Sequence, residues 1–278
     1  MKINAYLLNT YDNLLDWHKT SVSSLGTYCQ KHGINLKVMT KNDPLVRVML
    51  GHNIAHHYFL RKLLRIYDFV NSDADVGIFL DMDTLVLRLE QDIRQLIKPN
   101  TNYMHHEFFG LDEFCHKERP WLKMKADISA GFLGDRYRTK VLNTDTGFAV
   151  YTKDFSIQLI EYLEQKDLDI RTRSGLLNAL KINKYADVEG QRVSDESYVQ
   201  FFLQENDKYK DFAIDLPCES ELCSSSYDID IESRDKGFKG MKTWSMQNVC
   251  KHNCVFHHML GIVCADRLIP FYIEAFKK

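Results

Sequence analysis

Two aspartates, Asp81 and Asp83, directly follow the apolar run 76–80. A continuous apolar run of this length is typical of a strand buried on both faces of a sheet. Carboxylates inside such a sheet would be unpaired buried charges, so we expect them at its edge, where a cation can reach them. Side chains two apart in a strand point the same way, and hard oxygen ligands suit Mg²⁺ or Mn²⁺. The pattern predicts a divalent-metal site, whereas a plainer interpretation makes both residues capping aspartates of a loop.

The elements before this motif alternate between strand and helix patterns. Apolar spacing predicts strands and helices in turn over 2–8, 16–32, 34–40, 53–70 and 76–80, with Gly33 ending the first helix. This order predicts an α/β fold with a parallel sheet and right-handed crossovers. In such sheets ligands bind beyond the carboxyl ends of the strands, which is where Asp81 and Asp83 stand.

The second half of the chain is less regular. We expect a strand over 148–151, helices over 154–166 and 195–206, and a late strand over 255–258. Val199, Phe202 and Leu203 are expected to face inward. The stretch 103–140 predicts loops and short elements.

Two classes of enzyme place Asp-x-Asp after a buried strand. In haloacid dehalogenase-type phosphatases the first Asp is the nucleophile, but there the motif lies near the chain start and its Thr comes one residue later than Thr84 does here. In nucleotide-sugar glycosyltransferases of the GT-A fold the motif follows the nucleotide-binding half and holds a metal on the diphosphate. The position of Asp81 and Asp83 favours the second class.

With its downstream residues the chain resembles glycosyltransferase family 8, the glycogenin and lipopolysaccharide galactosyltransferase type. Four segments carry the resemblance: Phe59-Leu-Arg61-Lys62-Leu63, Ile78-Phe-Leu-Asp81-Met82-Asp83, Leu142-Asn-Thr-Asp145-Thr-Gly147 and His257-His258-Met-Leu-Gly261. Asp145 stands where the family has Asn, and Asp195-Glu196 where it has Asp-Gln. The family's Lys after His-x-x-Gly is missing, so either another cation (Arg267, Lys62 or Arg61) replaces it or the metal acts alone.

The resemblance implies a GT-A fold and a set of site residues. The metal site is assigned to Asp81, Asp83 and His258, with Mn²⁺ favoured over Mg²⁺ because imidazole suits it better. The donor would be bound by Leu8, Asn9, Thr10 and Tyr11 at the base and ribose, by Arg61 and Lys62 at the sugar or diphosphate, and by Asp81, Met82, Asp83 and Gly261.

The chemistry itself is assigned to three carboxylates, Asp145, Asp195 and Glu196. One of them as a general base on the acceptor hydroxyl would give inversion. Glu196 stabilising or attacking the sugar ring would give retention, which the resemblance implies. We therefore expect a metal-dependent hexosyltransferase that uses a nucleoside-diphosphate sugar, with UDP-sugar favoured, and a glycan, protein or small acceptor.

Two further interpretations come from other classes of protein. A structural zinc site or a disulfide is one of them. The ligand types are present in Cys250, His252, Cys254 and His257, with Cys218 and Cys223 upstream, although no Cys-x-x-Cys pair occurs. A non-catalytic glycan-binding module would keep the fold without the reaction.

Composition limits the class of partner. The chain has 278 residues, a net charge of −2 and a pI near 6.6, so no global basic field attracts it to nucleic acid. No apolar run approaches the roughly 20 residues of a membrane helix. We expect one catalytic domain, 1–278, with a nucleotide-binding half 1–88 and an acceptor and metal-completing half 89–278. Its seven cysteines favour a reducing compartment, which predicts a cytoplasmic or membrane-peripheral enzyme, or a catalytic domain of a longer chain.

Overall fold

The computed structural model describes residues 1–9, 13–43, 58–107, 143–165, 199, 202–203, 206, 221–225 and 254–258. Three helices are named here α1 (Asp16–Lys31), α2 (Tyr58–Val70) and α3 (Lys153–Gln165). The strands are β1 (Ile3–Asn9), β2 (Asn35–Thr40), β3 (Val76–Leu80), β4 (Thr84–Val86), β5 (Tyr103–Glu107), β6 (Asn143–Thr152), β7 (Cys223–Ser225) and β8 (Phe256–His258). Of the expected helix over 195–206, the residues Val199, Phe202 and Leu203 are helical and buried, as predicted.

The central sheet has the strand order β2-β1-β3-β6-β5. β1 pairs in parallel with β2 and β3, so that Tyr6 lies between Lys37 and Phe79. β6 is antiparallel to β3, with Leu80 opposite Phe148, and β5 is antiparallel to β6. All strands except β6 therefore run in one direction, which confirms the α/β fold with a mostly parallel sheet.

One detail of this sheet differs from the sequence prediction, because β6 runs against its neighbours. Residues 103–107, in the stretch expected to form loops and short elements, form the strand β5. A strand that is buried on both faces has an apolar sequence whether it pairs in parallel or antiparallel. The direction of β6 could therefore not be predicted from its apolar run. The strand pattern of β5 is weak in the sequence, because the polar residues His105, His106 and Glu107 follow the buried Tyr103 and Met104.

A second, smaller sheet has the order β4-β8-β7. β4 is antiparallel to β8, with Thr84 opposite His258, and β7 pairs in parallel with β8. Because β4 begins directly after Asp83, this pairing brings the late strand to the motif at the end of β3.

Each face of the central sheet is covered by a different part of the core. On one face the alternate residues Ile3, Ala5 and Leu7 of β1 pack with α1 and the smaller sheet. On the other face lies a chain of aromatic rings in contact, Tyr6, Phe69, Phe79, Tyr151, Phe155 and Phe202. All five residues of β3 are consequently buried, as their apolar run predicts.

The ends of the elements are set by local chemistry. Gly33, just after α1, has φ +59°, the left-handed conformation that glycine adopts without strain at a helix end. The side chain of Lys153 donates to the backbone oxygens of Phe69, Val70 and Ser72, at the end of α2. Within the described ranges, no helix combines the length and apolar character needed to cross a bilayer.

Candidate metal and donor site

The Asp81-Met82-Asp83 segment is a tight turn. The Asp81 amide donates to the carbonyl oxygen of Gly147 at 2.9 Å, which extends the β3–β6 pairing by one residue. The Thr84 amide then donates to the carbonyl oxygen of Asp81 at 3.1 Å, and the Met82 side chain is buried in the core. The strand alternation expected for the two aspartates is therefore wrong. The turn, anchored by Met82, brings the two carboxylates together instead.

Asp81, Asp83 and His258 each present one ligating atom, and these three atoms lie within 4.8 Å of one another. Nε2 of His258 is 3.2 Å from Oδ1 of Asp83. Around a Mg²⁺-sized ion with ligands at about 2.1 Å, neighbouring ligands are about 3.0 Å apart and opposite ones about 4.2 Å. Two carboxylates and an imidazole are also the donor set that suits Mn²⁺. The three residues thus fit a small divalent cation, with no pair more than about 0.6 Å too wide.

Two buried cations from α2 contact the Asp81 carboxylate. Nζ of Lys62 is 2.5 Å from Oδ2, and Nη1 of Arg65 is 3.6 Å from Oδ1. Arg65 also donates to the carbonyl oxygen of Leu80 at 2.5 Å, the last residue of β3. The two cations lie three residues apart on one helix, which places them on the same face. Before any ligand binds, the charge of Asp81 is therefore compensated by protein groups.

Helix α1 supports the other side of the turn through His18 and Ser21. Ser21 Oγ donates to the carbonyl oxygen of Thr84 at 2.5 Å, one residue after Asp83. One helical turn earlier, the buried Nδ1 of His18 accepts a hydrogen bond from the Leu15 amide at 3.1 Å. Burial lowers the pKa of His18 below 6.5, and the negative charge of Asp83 acts in the opposite direction. A neutral ring with its proton on Nε2 consequently stands close to the second aspartate.

The remaining donor-site residues of the sequence prediction are only partly placed. Leu8 is buried and Asn9 is half-buried at the carboxyl end of β1, beside the end of β3. The backbone of Arg61 lies in α2, and that of Asp145 lies in β6 opposite His105. Five predicted residues lie outside the described ranges: Thr10, Tyr11, Asp195, Glu196 and Gly261.

Sequence reasoning missed Arg65 and His18. Arg65 could have been found from its spacing, because it lies one helical turn after Lys62. His18 is a polar residue on the buried face of α1, which also carries Ser21, Leu25 and Tyr28. A histidine among buried positions is a usable signal. The group that it faces is shown only by the tertiary structure, in which α1 packs against β4.

The predicted zinc site is not tested by these residues. Cys254 and His257 are buried in or beside β8, and Cys223 is buried in β7. Cys218, Cys250 and His252 lie outside the described ranges. Within the part of the chain that the structure describes, Asp81, Asp83 and His258 are the one group of three residues arranged to hold a metal ion.

No protein-family model and no curated protein matches this sequence. Among solved structures the chain is similar to one described as a glycosyltransferase involved in the glycosylation of the major capsid of PBCV-1. The two chains are 14% identical, the match covers 98% of this chain and 100% of the other, and the TM-score is 0.49. At this level of similarity, the fold class rests on the strand order and register described above.

Proposed function

We propose that this chain is a divalent-metal-dependent glycosyltransferase of the GT-A fold. It would transfer a hexose or a similar sugar from a nucleoside-diphosphate sugar, with UDP-sugar favoured, to a hydroxyl group of a glycan, a protein or a small acceptor. The observation that carries the proposal is the convergence of Asp81, Asp83 and His258 within 4.8 Å. They converge where the parallel strands β1 and β3 end, the edge at which α/β sheets bind ligands.

The charges at this edge favour a diphosphate. Asp81 and Asp83 contribute two negative charges, and Lys62 and Arg65 contribute two positive charges. The four groups are therefore close to neutral together, and a divalent cation would leave an excess of two positive charges. A bound divalent metal stabilises negative charge on a departing diphosphate by acting as a Lewis acid.

The other roles follow the family 8 resemblance. Leu8, Asn9, Thr10 and Tyr11 would contact the base and ribose, and Arg61, Lys62, the backbone of Met82 and Gly261 would contact the sugar or diphosphate. Asp145, Asp195 and Glu196 remain the proposed catalytic carboxylates, with retention as the expected outcome. The anomeric configuration of the first product, followed by NMR, distinguishes retention from inversion.

A thermal-shift panel of UDP- and GDP-sugars, with and without Mn²⁺, tests the proposal. A ligand that binds only the folded state raises the melting temperature by mass action. We expect a UDP-sugar with Mn²⁺ to raise it by several degrees in the wild type and in Asp16→Asn, an exposed control. Asp83→Asn, which removes the negative charge of one metal ligand without changing side-chain size, should lose most of the shift. If no nucleotide sugar shifts the wild type with Mn²⁺ present, the proposal is wrong.

Two further measurements separate the alternative functions. Hydrolysis of p-nitrophenyl phosphate without any nucleotide, abolished by Asp81→Asn, would instead identify a phosphatase with Asp81 as the nucleophile. Elemental analysis of the purified chain would detect a structural zinc ion held by the cysteine and histidine residues near β8.

A further inference from the structure

Lys62 contacts the same carboxylate, Asp81, that a metal ion at this site would use. Its Nζ is 2.5 Å from Oδ2 of Asp81, and both side chains are largely withdrawn from water. An ammonium at this distance takes up oxygen lone pairs and supplies the positive charge that a divalent cation would otherwise supply. Two like charges at one carboxylate repel strongly where water is excluded. Lys62 and a divalent cation are therefore competitors for Asp81.

Arg65 differs from Lys62 in how firmly it is held. Its side chain is 2% exposed, and its guanidinium also donates to the carbonyl oxygens of Leu80 and Lys62. Lys62 ends in a compact charge on a flexible stem of four carbons, whereas the guanidinium of Arg65 is a rigid fork held by two backbone oxygens. Of the two cations, Lys62 is therefore the one whose flexible stem lets its charge exchange Asp81 for another anion.

The diphosphate of the proposed donor offers Lys62 a new partner at the same edge of the sheet. Without it, displacing the ammonium from Asp81 would leave a buried charge with its ion pair broken, which is unfavourable. With it, the ammonium exchanges a carboxylate oxygen for a phosphate oxygen. The cost of binding the cation is then recovered when the diphosphate binds.

We propose that Lys62 is a positioning residue that couples the two binding events. It holds Asp81 while the site is empty of ligand, and it moves to the diphosphate when a divalent cation binds to Asp81, Asp83 and His258. Cation and nucleoside diphosphate then bind with positive cooperativity, and each raises the affinity for the other by the same factor. This inference rests on the proposed function, because it takes a diphosphate as the ligand.

The test is the affinity for Mn²⁺ alone and in the presence of UDP, measured on the full chain by calorimetry or by the EPR signal of free Mn²⁺. In the wild type we expect UDP to tighten Mn²⁺ binding by about 10-fold or more. Lys62→Met should bind Mn²⁺ alone several-fold more tightly than the wild type, because no ammonium competes for Asp81. Its coupling to UDP should fall by a comparable factor.

Two variants separate this role from general damage. Lys62→Arg keeps the charge and should keep the weak binding of Mn²⁺ alone. Lys37→Met removes the lysine of another ion pair, 2.5 Å from Asp68, and should behave as the wild type in both measurements. Lys62→Gln replaces Lys62→Met if the latter does not unfold cooperatively.

The outcomes distinguish the inference from the function on which it rests. If the wild type binds Mn²⁺ neither alone nor with UDP, the metal site and the proposed function are wrong. If the wild type binds both ligands but Lys62→Met or Lys62→Gln binds Mn²⁺ alone no more tightly, the coupling role is wrong and the glycosyltransferase proposal stands. If Lys62 only stabilised the fold, its replacement would weaken the binding of Mn²⁺ alone, whereas the coupling role predicts tighter binding.

Discussion

Gly147 lies so close to the imidazole of His258 that a Cβ atom on it would be 2.0 Å from Cε1 and 2.4 Å from Nε2. No side chain fits at this distance without moving the ring or the strand. Nε2 of the same ring is 3.2 Å from Asp83, and the carbonyl oxygen of Gly147 accepts the amide of Asp81. One glycine therefore leaves room for the ring of one candidate ligand and hydrogen-bonds the backbone of another.

Gly147→Ala is expected to displace His258. We predict a loss of stability of about 1–3 kcal/mol from overpacking, and Mn²⁺ binding weaker by about 10- to 100-fold, as when the supports of metal ligands are changed. Urea unfolding and Mn²⁺ calorimetry measure the two effects. Gly26→Ala is the matched control, because its Cβ meets nothing within 4 Å and alanine is favoured in a helix. Mn²⁺ affinity unchanged in Gly147→Ala would contradict the assignment of His258.

Arg65→Met is expected to destabilise the fold by about 1–3 kcal/mol, since it leaves the Leu80 carbonyl without this buried donor and removes one of the two cations beside Asp81. Lys19→Met, which breaks an exposed pair with Asp16, should cost less than about 1 kcal/mol. Urea unfolding of both variants at one pH provides the comparison. Equal losses in the two would show that Arg65 contributes no more than a surface charge.

The lowered pKa of His18 predicts a pH dependence of stability. Burial keeps the ring neutral in the folded chain below the ordinary value of 6.5, against the attraction of Asp83. Between the native pKa and 6.5 the unfolded chain binds more protons, so the free energy of unfolding falls as the pH decreases through this window. Below the native pKa the contribution of His18 changes no further.

His18→Asn isolates this effect, because its Oδ1 can still accept the Leu15 amide while the titrating ring is gone. Urea unfolding at about pH 7.5 and about pH 5.5 should show a smaller loss of stability on acidification in the variant than in the wild type. Identical losses in the two proteins would mean that His18 is protonated equally in the folded and unfolded chains.

Much of the first half of the fold was predictable from local patterns. The apolar run 76–80 and the amphipathic helix before it lie where expected, and Gly33 ends α1 as predicted. Which faces of these elements are buried can be predicted from the periodicity of apolar side chains, and this periodicity involves only residues close together in the chain. The position of Asp81 and Asp83 at the carboxyl end of a buried strand follows from the same pattern.

Contacts between distant parts of the chain were less predictable. His258 was proposed as a ligand from a family resemblance, and it reaches Asp83 because β8 pairs with β4. Lys62 is predicted to bind the donor, and the structure adds a contact of its ammonium with Asp81 that the sequence did not indicate. Neither contact follows from local spacing, because one depends on the pairing of β8 with β4 and the other on the packing of α2 against the end of β3.

By itself, the sequence determined a strand buried on both faces and a helix with basic residues before it. It also determined that the two acids lie at the end of this strand, since unpaired charge cannot stay inside an apolar sheet. Only the tertiary structure decided the reversed direction of β6, the turn that brings the acids together, and the contact of Gly147 with His258. Strand direction and close packing are properties of which surfaces meet, and residues that meet here are as far apart in the chain as Asp83 and His258.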